Sequence, residues 1–111
     1  MTPEVFDFSM LNSLSELDKM IHEPARLQIM AYLYVVENAD FLFLMNQTGL
    51  TRGNLSSHLS KLEKAEYLEI KKEFVRKMPR TLLHLTESGR IAFERYRVKM
   101  QGALRGLERC E

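Results

Sequence analysis

Apolar residues recur along this chain with two different periods, and the change between them marks out its elements. Over residues 8–22, Met10, Leu14, Leu17 and Ile21 fall at spacings of four, three and four, the stripe of one helix face. Pro24 breaks that helix and suits the first position of a second. There Leu27, Met30, Ala31 and Tyr34 recur at i, i+3, i+4 and i+7, with Leu33 and Val35 beside them, and the helix should end near Glu37 and Asn38. Asp40 predicts the N-cap of a short third helix carrying Phe41, Leu42, Leu44 and Met45. Gly49 supplies the left-handed residue that closes it. Thr51 caps a fourth helix running to about Ala65, although Asn54 stands where a complete capping box would place Glu.

Beyond residue 66 the pattern alternates. Leu68, Ile70, Lys72 and Phe74 share one face of a strand, and Thr81, Leu83 and Leu85 share one face of another. The polar, proline-containing stretch 75–80 reads as the loop of a hairpin. Thr86 then caps a final helix that continues almost to the end of the sequence. The expected fold is mainly α with a small β-hairpin (α+β), in a single domain spanning 1–111 with no linker or repeat.

The fourth helix is unusual in its outer face. On a wheel of about 100° per residue, Leu59 and Leu62 lie within about 40° of Leu55 and form the buried edge. Ser60, Gly53, Lys64, Ser57 and Lys61 gather on the opposite side, flanked by Ser56, Arg52 and Asn54. Serine is a middling helix former, so three serines in five positions weaken the helix without structural return. A face of glycine, short hydroxyls and a few cations instead leaves clearance for a DNA major groove, about 12 Å wide. Ser and Asn can exchange hydrogen bonds with base edges and phosphates, while Arg52 and Lys61 can reach guanine or phosphate oxygens. A solvated face that happens to be rich in serine is the plainer alternative. His58 sits beside the leucine stripe and reads as a boundary residue bonded to its surroundings.

A short helix, a glycine turn and a second helix form a helix-turn-helix, and the basic hairpin that follows makes the arrangement winged. Lys71 and Lys72 precede the hairpin loop, and Arg76, Lys77 and Arg80 lie in it, where phosphate or minor-groove contact competes with an ordinary solvated turn. The net charge of +1 conceals a segregated distribution. Residues 1–51 carry Lys19 and Arg26 against seven acids, a balance of −5, whereas residues 52–80 carry eight Lys or Arg against four Glu, a balance of +4. A basic middle is a candidate phosphate footprint.

Apolar residues make up 45% of the 111-residue chain and charged residues 28%, enough for a real core and too apolar for disorder. No apolar run reaches the length of a membrane span, and the acidic opening residues do not read as a signal peptide, so a cytoplasmic protein without membrane contact is expected. The lone Cys110 excludes an intrachain disulfide. His22, His58 and His84 are scattered without metal-ligand spacing, and no cofactor is expected. No nucleophile–base pair, paired carboxylates or phosphate-binding glycine loop can be assembled, which argues against an enzyme.

Taken in order, these segments resemble the ArsR- and MarR-type winged-helix transcription regulators of bacteria and archaea. The likeness runs from HEPARLQIMAYL through GLTRGNLSSHLSKLEKAEYLEI and KKEFVRKMPRTLLHLT to ESGRIAFERY, about residues 22–96. It implies a DNA-binding repressor or activator, with a recognition helix at 51–64 and a wing at 72–80. The candidate DNA contacts are Thr51, Arg52, Asn54, Ser56, Ser57, Ser60, Lys61, Lys64, Lys72, Arg76, Lys77 and Arg80. Two positions depart from the family pattern. Glu66 stands where glycine usually follows the recognition helix, suggesting a less regular helix end, and Arg76 replaces a wing glycine. The cysteine-rich motif of metal-sensing members is absent.

The resemblance also implies a dimer. Phe93, Tyr96, Met100, Ala103 and Leu107 form an a/d-like seam in the last helix. With Met10, Leu14, Leu17 and Ile21 it offers apolar surface to a second copy, so residues 1–22 and 87–111 are expected to dimerise. A two-fold dimer would place two recognition helices one DNA turn apart on a roughly palindromic site. Tyr, Phe and Met side chains near the seam suit either an effector pocket or plain packing. The rival reading is a winged helix that serves as a protein–protein interaction module without specific DNA binding.

Overall fold

The computed structural model describes residues 9–108, and these form five helices and a three-stranded antiparallel sheet. In chain order they are α1 (Ser9–Ser15), α2 (Pro24–Val35), β1 (Ala39–Asp40), α3 (Phe41–Thr48), α4 (Arg52–Lys64), β2 (Leu68–Val75), β3 (Met78–Leu85) and α5 (Glu87–Gly106). The predicted caps are in place. Asp40 accepts from the backbone N–H groups of Leu42 and Phe43, Thr51 from that of Asn54, and Thr86 from that of Gly89. Pro24 opens α2 behind an N-cap at Glu23, and Gly49 closes α3 at a φ of 71°.

The first helix is shorter than its periodicity predicts. It stops at Ser15, and residues 16–23 run through turns. Asp18 offers the backbone a local alternative to helix. Its carboxylate accepts from Met20 N–H at 2.8 Å and its carbonyl from His22 N–H at 2.7 Å. Leu17 and Ile21 are buried all the same. The buried side of α2 is also rotated from the expected one. Ala25, Ile29, Met30 and Leu33 form it, while Val35 is exposed.

The sheet order is β1-β3-β2, with Ala39 opposite Leu83 and Leu68 opposite Leu85. The two-residue β1 escaped prediction because it is too short to show a period. The hairpin is longer and tighter than expected, since only Arg76 and Lys77 lie between Val75 and Met78. Pro79 sits inside β3 opposite Phe74, one pair from the turn, where the alternation of an antiparallel ladder leaves its missing N–H unneeded by β2.

Where a less regular end to α4 is expected, the helix closes in a complete Schellman motif. Glu66 takes a φ of 65°, its N–H bonds Glu63 O at 2.9 Å, and Tyr67 N–H bonds Leu62 O at 3.0 Å. The strain of a left-handed glutamate is held by α5, whose N-cap Thr86 donates its hydroxyl to Glu66 O at 2.6 Å.

The last helix buries much of its apolar stripe within the chain. Phe93, Tyr96 and Ala103 lie inside the protomer, as do Leu17 and Ile21, and Leu14 and Met100 pack partly against the same core. The reason is that the chain folds back, laying α1 and the following turn along α5. Tyr96 and His22 Nδ1 share a hydrogen bond of 2.7 Å. The stripe is thus used within one chain, and of the seam residues only Leu107 is well exposed. The side chain of Met10 and the whole of Cys110 lie outside the described residues.

Tyr67 ties the α4 end to the α1–α2 turn by donating a hydrogen bond to Asp18. Burial, then that bond and the charge of Asp18, push its hydroxyl up from 10 to about 12. The folded chain therefore holds this proton more tightly than the unfolded chain. The resulting stability is complete below about pH 10 and fades as the pH rises toward about 12. Tyr67→Phe should make the alkaline decline of the urea midpoint shallower. Part of the slope should persist through Tyr96, raised by burial, and an unaltered slope would refute the assignment.

Candidate nucleic-acid interface

The three leucines of α4 anchor it: Leu55, Leu59 and Leu62 are fully or almost fully buried. With that edge fixed, Thr51, Arg52, Asn54, Ser56, Ser57, Lys61 and Lys64 are all exposed. Ser60 is half-buried, having turned toward the hairpin and away from the outermost line. A methyl group added at Gly53 would meet nothing within 4 Å. The protomer itself therefore has no steric need for glycine there, which suits a surface kept low for something outside it.

The helix and the wing form one surface. A groove of about 330 Å³ runs between them, floored by Phe41, Leu59 and Ile70 and rimmed by Arg52, Ser56, Ser60, Lys72 and Thr81. Arg52 lies over the Phe41 ring at 5.4 Å from its centroid, which holds the guanidinium at the groove's edge. Lys72, Arg76 and Lys77 are exposed along the wing, whereas Arg80 is already engaged, its Nε 3.2 Å from Asp40 Oδ2. Asp40 thus caps α3 and steadies the wing at once. The sequence signals its capping role, but its reach to Arg80 depends on the pairing of β1 with β3.

His58 proves to be a joint between helices. Its Nδ1 lies 3.2 Å from Arg26 Nη1 and 3.7 Å from Glu23 Oε2, linking α4 to the start of α2. Burial works to raise the Glu23 carboxyl, but hydrogen bonds from the Arg26 and Ala25 N–H groups and the charges of His58 and Arg26 outweigh it and leave it lowered. Arg26 also donates from Nε to Met20 O at 2.7 Å, so one guanidinium braces the α1–α2 turn against α4. No sequence spacing announces this cluster, because its members come together only when α2 and α4 pack.

Among the described residues no group of three His, Cys, Asp or Glu converges as a metal site, and no helix is long and apolar enough to cross a membrane.

Comparison with known proteins places this geometry. A family model described as a winged helix DNA-binding domain matches residues 25–104. An uncharacterized protein of Methanocaldococcus jannaschii is 37% identical over 78 residues, covering 70% of this chain and 85% of that protein. The structure of a transcriptional regulator homologue from Pyrococcus horikoshii superposes with a TM-score of 0.82 at 29% identity, covering 88% of this chain and 99% of that one. NadR, solved with 4-hydroxyphenylacetate bound, gives a TM-score of 0.67 at 25% identity over 89% of this chain and 70% of its own.

Proposed function

We propose that this chain, which belongs to the winged helix DNA-binding domain family, is a sequence-selective regulator of transcription that binds operator DNA as a homodimer. The solved structures it resembles include that of a transcriptional regulator homologue. The observation that carries the reading is the shared groove. Arg52, Ser56 and Ser60 of α4 and Lys72 of the wing line one open groove, and the only large apolar residues of α4 face inward. In this reading α4 enters the major groove, with Arg52, Asn54, Ser56, Ser57 and Lys61 at base edges and phosphates. Thr51, Ser60, Lys64 and Lys72 support it from the flanks.

The dimer uses surface that the protomer leaves bare. Ile91 and Val98 are exposed one above the other on α5, and Leu11, Leu104 and Leu107 are exposed elsewhere on α1 and α5. A small-molecule effector belongs to the same proposal. A depression of about 280 Å³ lined by Asp18, Tyr67, Arg95 and Tyr96 lies where α5 meets the α1–α2 turn, and NadR was solved with such a ligand.

Selection of bound sequences from random DNA, repeated at two salt concentrations, tests the proposal. The expected product is an inverted repeat with half-site centres about one helical turn apart. Uniform, purely salt-driven retention would favour a protein-interaction module instead. Against the selected site, Arg52→Ala and Lys61→Ala should each weaken binding roughly tenfold and lower the salt slope by about one. Unfolding midpoints should stay nearly constant, apart from the modest loss of the Arg52–Phe41 contact. Parallel losses of stability and binding would mean that these side chains serve the fold.

A further inference from the structure

Leucines fix the buried edge of α4, but the flank beside that edge is held by a titratable contact. His58 lies on the side of α4 away from the wing, since Arg52, Ser56, Ser60 and Lys72 line the groove on the other side. Its side chain is 20% exposed, beside those of Arg26 at 12% and Glu23 at 30%. Arg26 Nη1 stands 3.2 Å from His58 Nδ1. A guanidinium can only donate, so Nδ1 must accept, and it does so only in a neutral ring whose proton is on Nε2.

The rest of Arg26 is committed. Its Nε donates to Met20 O at 2.7 Å and its backbone N–H to Glu23 Oε2 at 2.7 Å. A proton on Nδ1 would turn a donor and a positive charge toward the guanidinium, and the contact would be lost. Glu23 Oε2 lies 3.7 Å from the ring, too far for a hydrogen bond, and already accepts the Arg26 N–H. Other charges around α4 are exposed or spent. Lys61 and Glu63 of the helix itself are exposed, as are Glu16 and Lys19 of the α1–α2 turn. In that turn Asp18 is bonded to Tyr67 and Met20, and His22 to Tyr96. Helix α3 carries no charged residue. On β2, Lys72 lies in the groove, and the other charges alternate to the face turned away from Ile70.

We propose that Arg26 and His58 are positioning residues for α4, and that a proton on His58 releases the helix, so that the chain binds DNA tightly only while the ring is neutral. The inference rests on the DNA-binding reading above. Leucines along one edge leave α4 free to roll about that edge. The Arg26–His58 contact, tied through Nε to the α1–α2 turn, sets where the serine and lysine face points. Histidine is the side chain whose charge changes across the neutral range, and hydrogen bonds that involve a charged group are among the strong ones.

Operator affinity should fall about tenfold between about pH 8 and about pH 5.5, the effect of losing one charge-assisted hydrogen bond. The salt slope should stay constant, because no phosphate contact is gained or lost. His58→Gln keeps an acceptor that never titrates, so it should match the parent at the alkaline end and hold that affinity on acidification. His58→Leu fills the space without an acceptor and should bind about tenfold more weakly throughout. A flat profile in the parent overturns the proposal, as does a profile that persists in His58→Gln and so belongs to His22 or His84. Affinity that rises on acidification with a steeper salt slope also overturns it, because the charged ring would then serve phosphates directly. Amide hydrogen exchange without DNA tests the joint apart from the operator. Relative to intrinsic rates at each pH, α4 should lose protection on acidification in the parent but not in His58→Gln, and equal protection overturns the joint. A parent chain that shows this loss but no salt-dependent DNA binding would remove the DNA reading and leave the joint standing.

Discussion

Gly89→Ala should destabilise the fold by roughly 3 kcal/mol, the upper range for forcing one extra carbon into a packed interior. The new Cβ would stand 1.9 Å from Tyr67 O and 2.8 Å from Tyr67 C. Both are backbone atoms, so no rotamer change relieves the clash. Nor can the backbone yield cheaply. Tyr67 O already accepts from Thr86 N–H at 3.1 Å, and Thr86 Oγ1 accepts from Gly89 N–H at 2.9 Å while donating to Glu66 O. The left-handed end of α4 and the first turn of α5 are therefore one knot, and lifting α5 would release the strained Glu66. A fall in urea midpoint equivalent to several kcal/mol checks this. A change near ~0.5 kcal/mol, typical of surface sites, would mean that the α5 start moves freely.

Why this knot is invisible in the sequence, while the recognition helix is plain, has a physical explanation. The leucine stripe of α4 and the caps at Asp40, Thr51 and Thr86 are local signals, written within a turn of helix. The close approach of Gly89 to Tyr67 joins residues far apart in the chain, and a glycine in the first turn of a helix carries no sign of what it faces. The α5 stripe shows the converse limit. The periodicity of Phe93, Tyr96, Met100 and Ala103 correctly predicts a buried helix face, but spacing does not say whether a second subunit or the same chain covers it. In the fold, α1 and the turn at Asp18 lie along α5 and cover part of that face. Glu66, Arg76 and Lys77 mark another limit. Left-handed backbone is expected at glycine, and here tertiary bonds or turn geometry impose it on charged residues.

Ser57→Glu should reduce operator binding about a hundredfold or more while leaving the fold intact. Ser57 is exposed on the side of α4 opposite the buried leucines, and glutamate is a better helix former than serine. Stability should accordingly stay within about 0.5 kcal/mol of the parent. For DNA the same change is doubly adverse. It fills the clearance that the short hydroxyl leaves, and it brings a carboxylate toward phosphates, a like-charge juxtaposition that costs several kcal/mol. Anisotropy titration of the selected operator, paired with a urea melt, reads both effects. The pairing matters because Gly53, Ser56 and Ser57 are poor choices for helix stability, and the protomer has no steric need for glycine at position 53. If they persist for the sake of a close-fitting groove, a substitution that is neutral for folding must be damaging for binding. Undiminished affinity in Ser57→Glu would place the DNA on another surface and leave the bare face of α4 without a function.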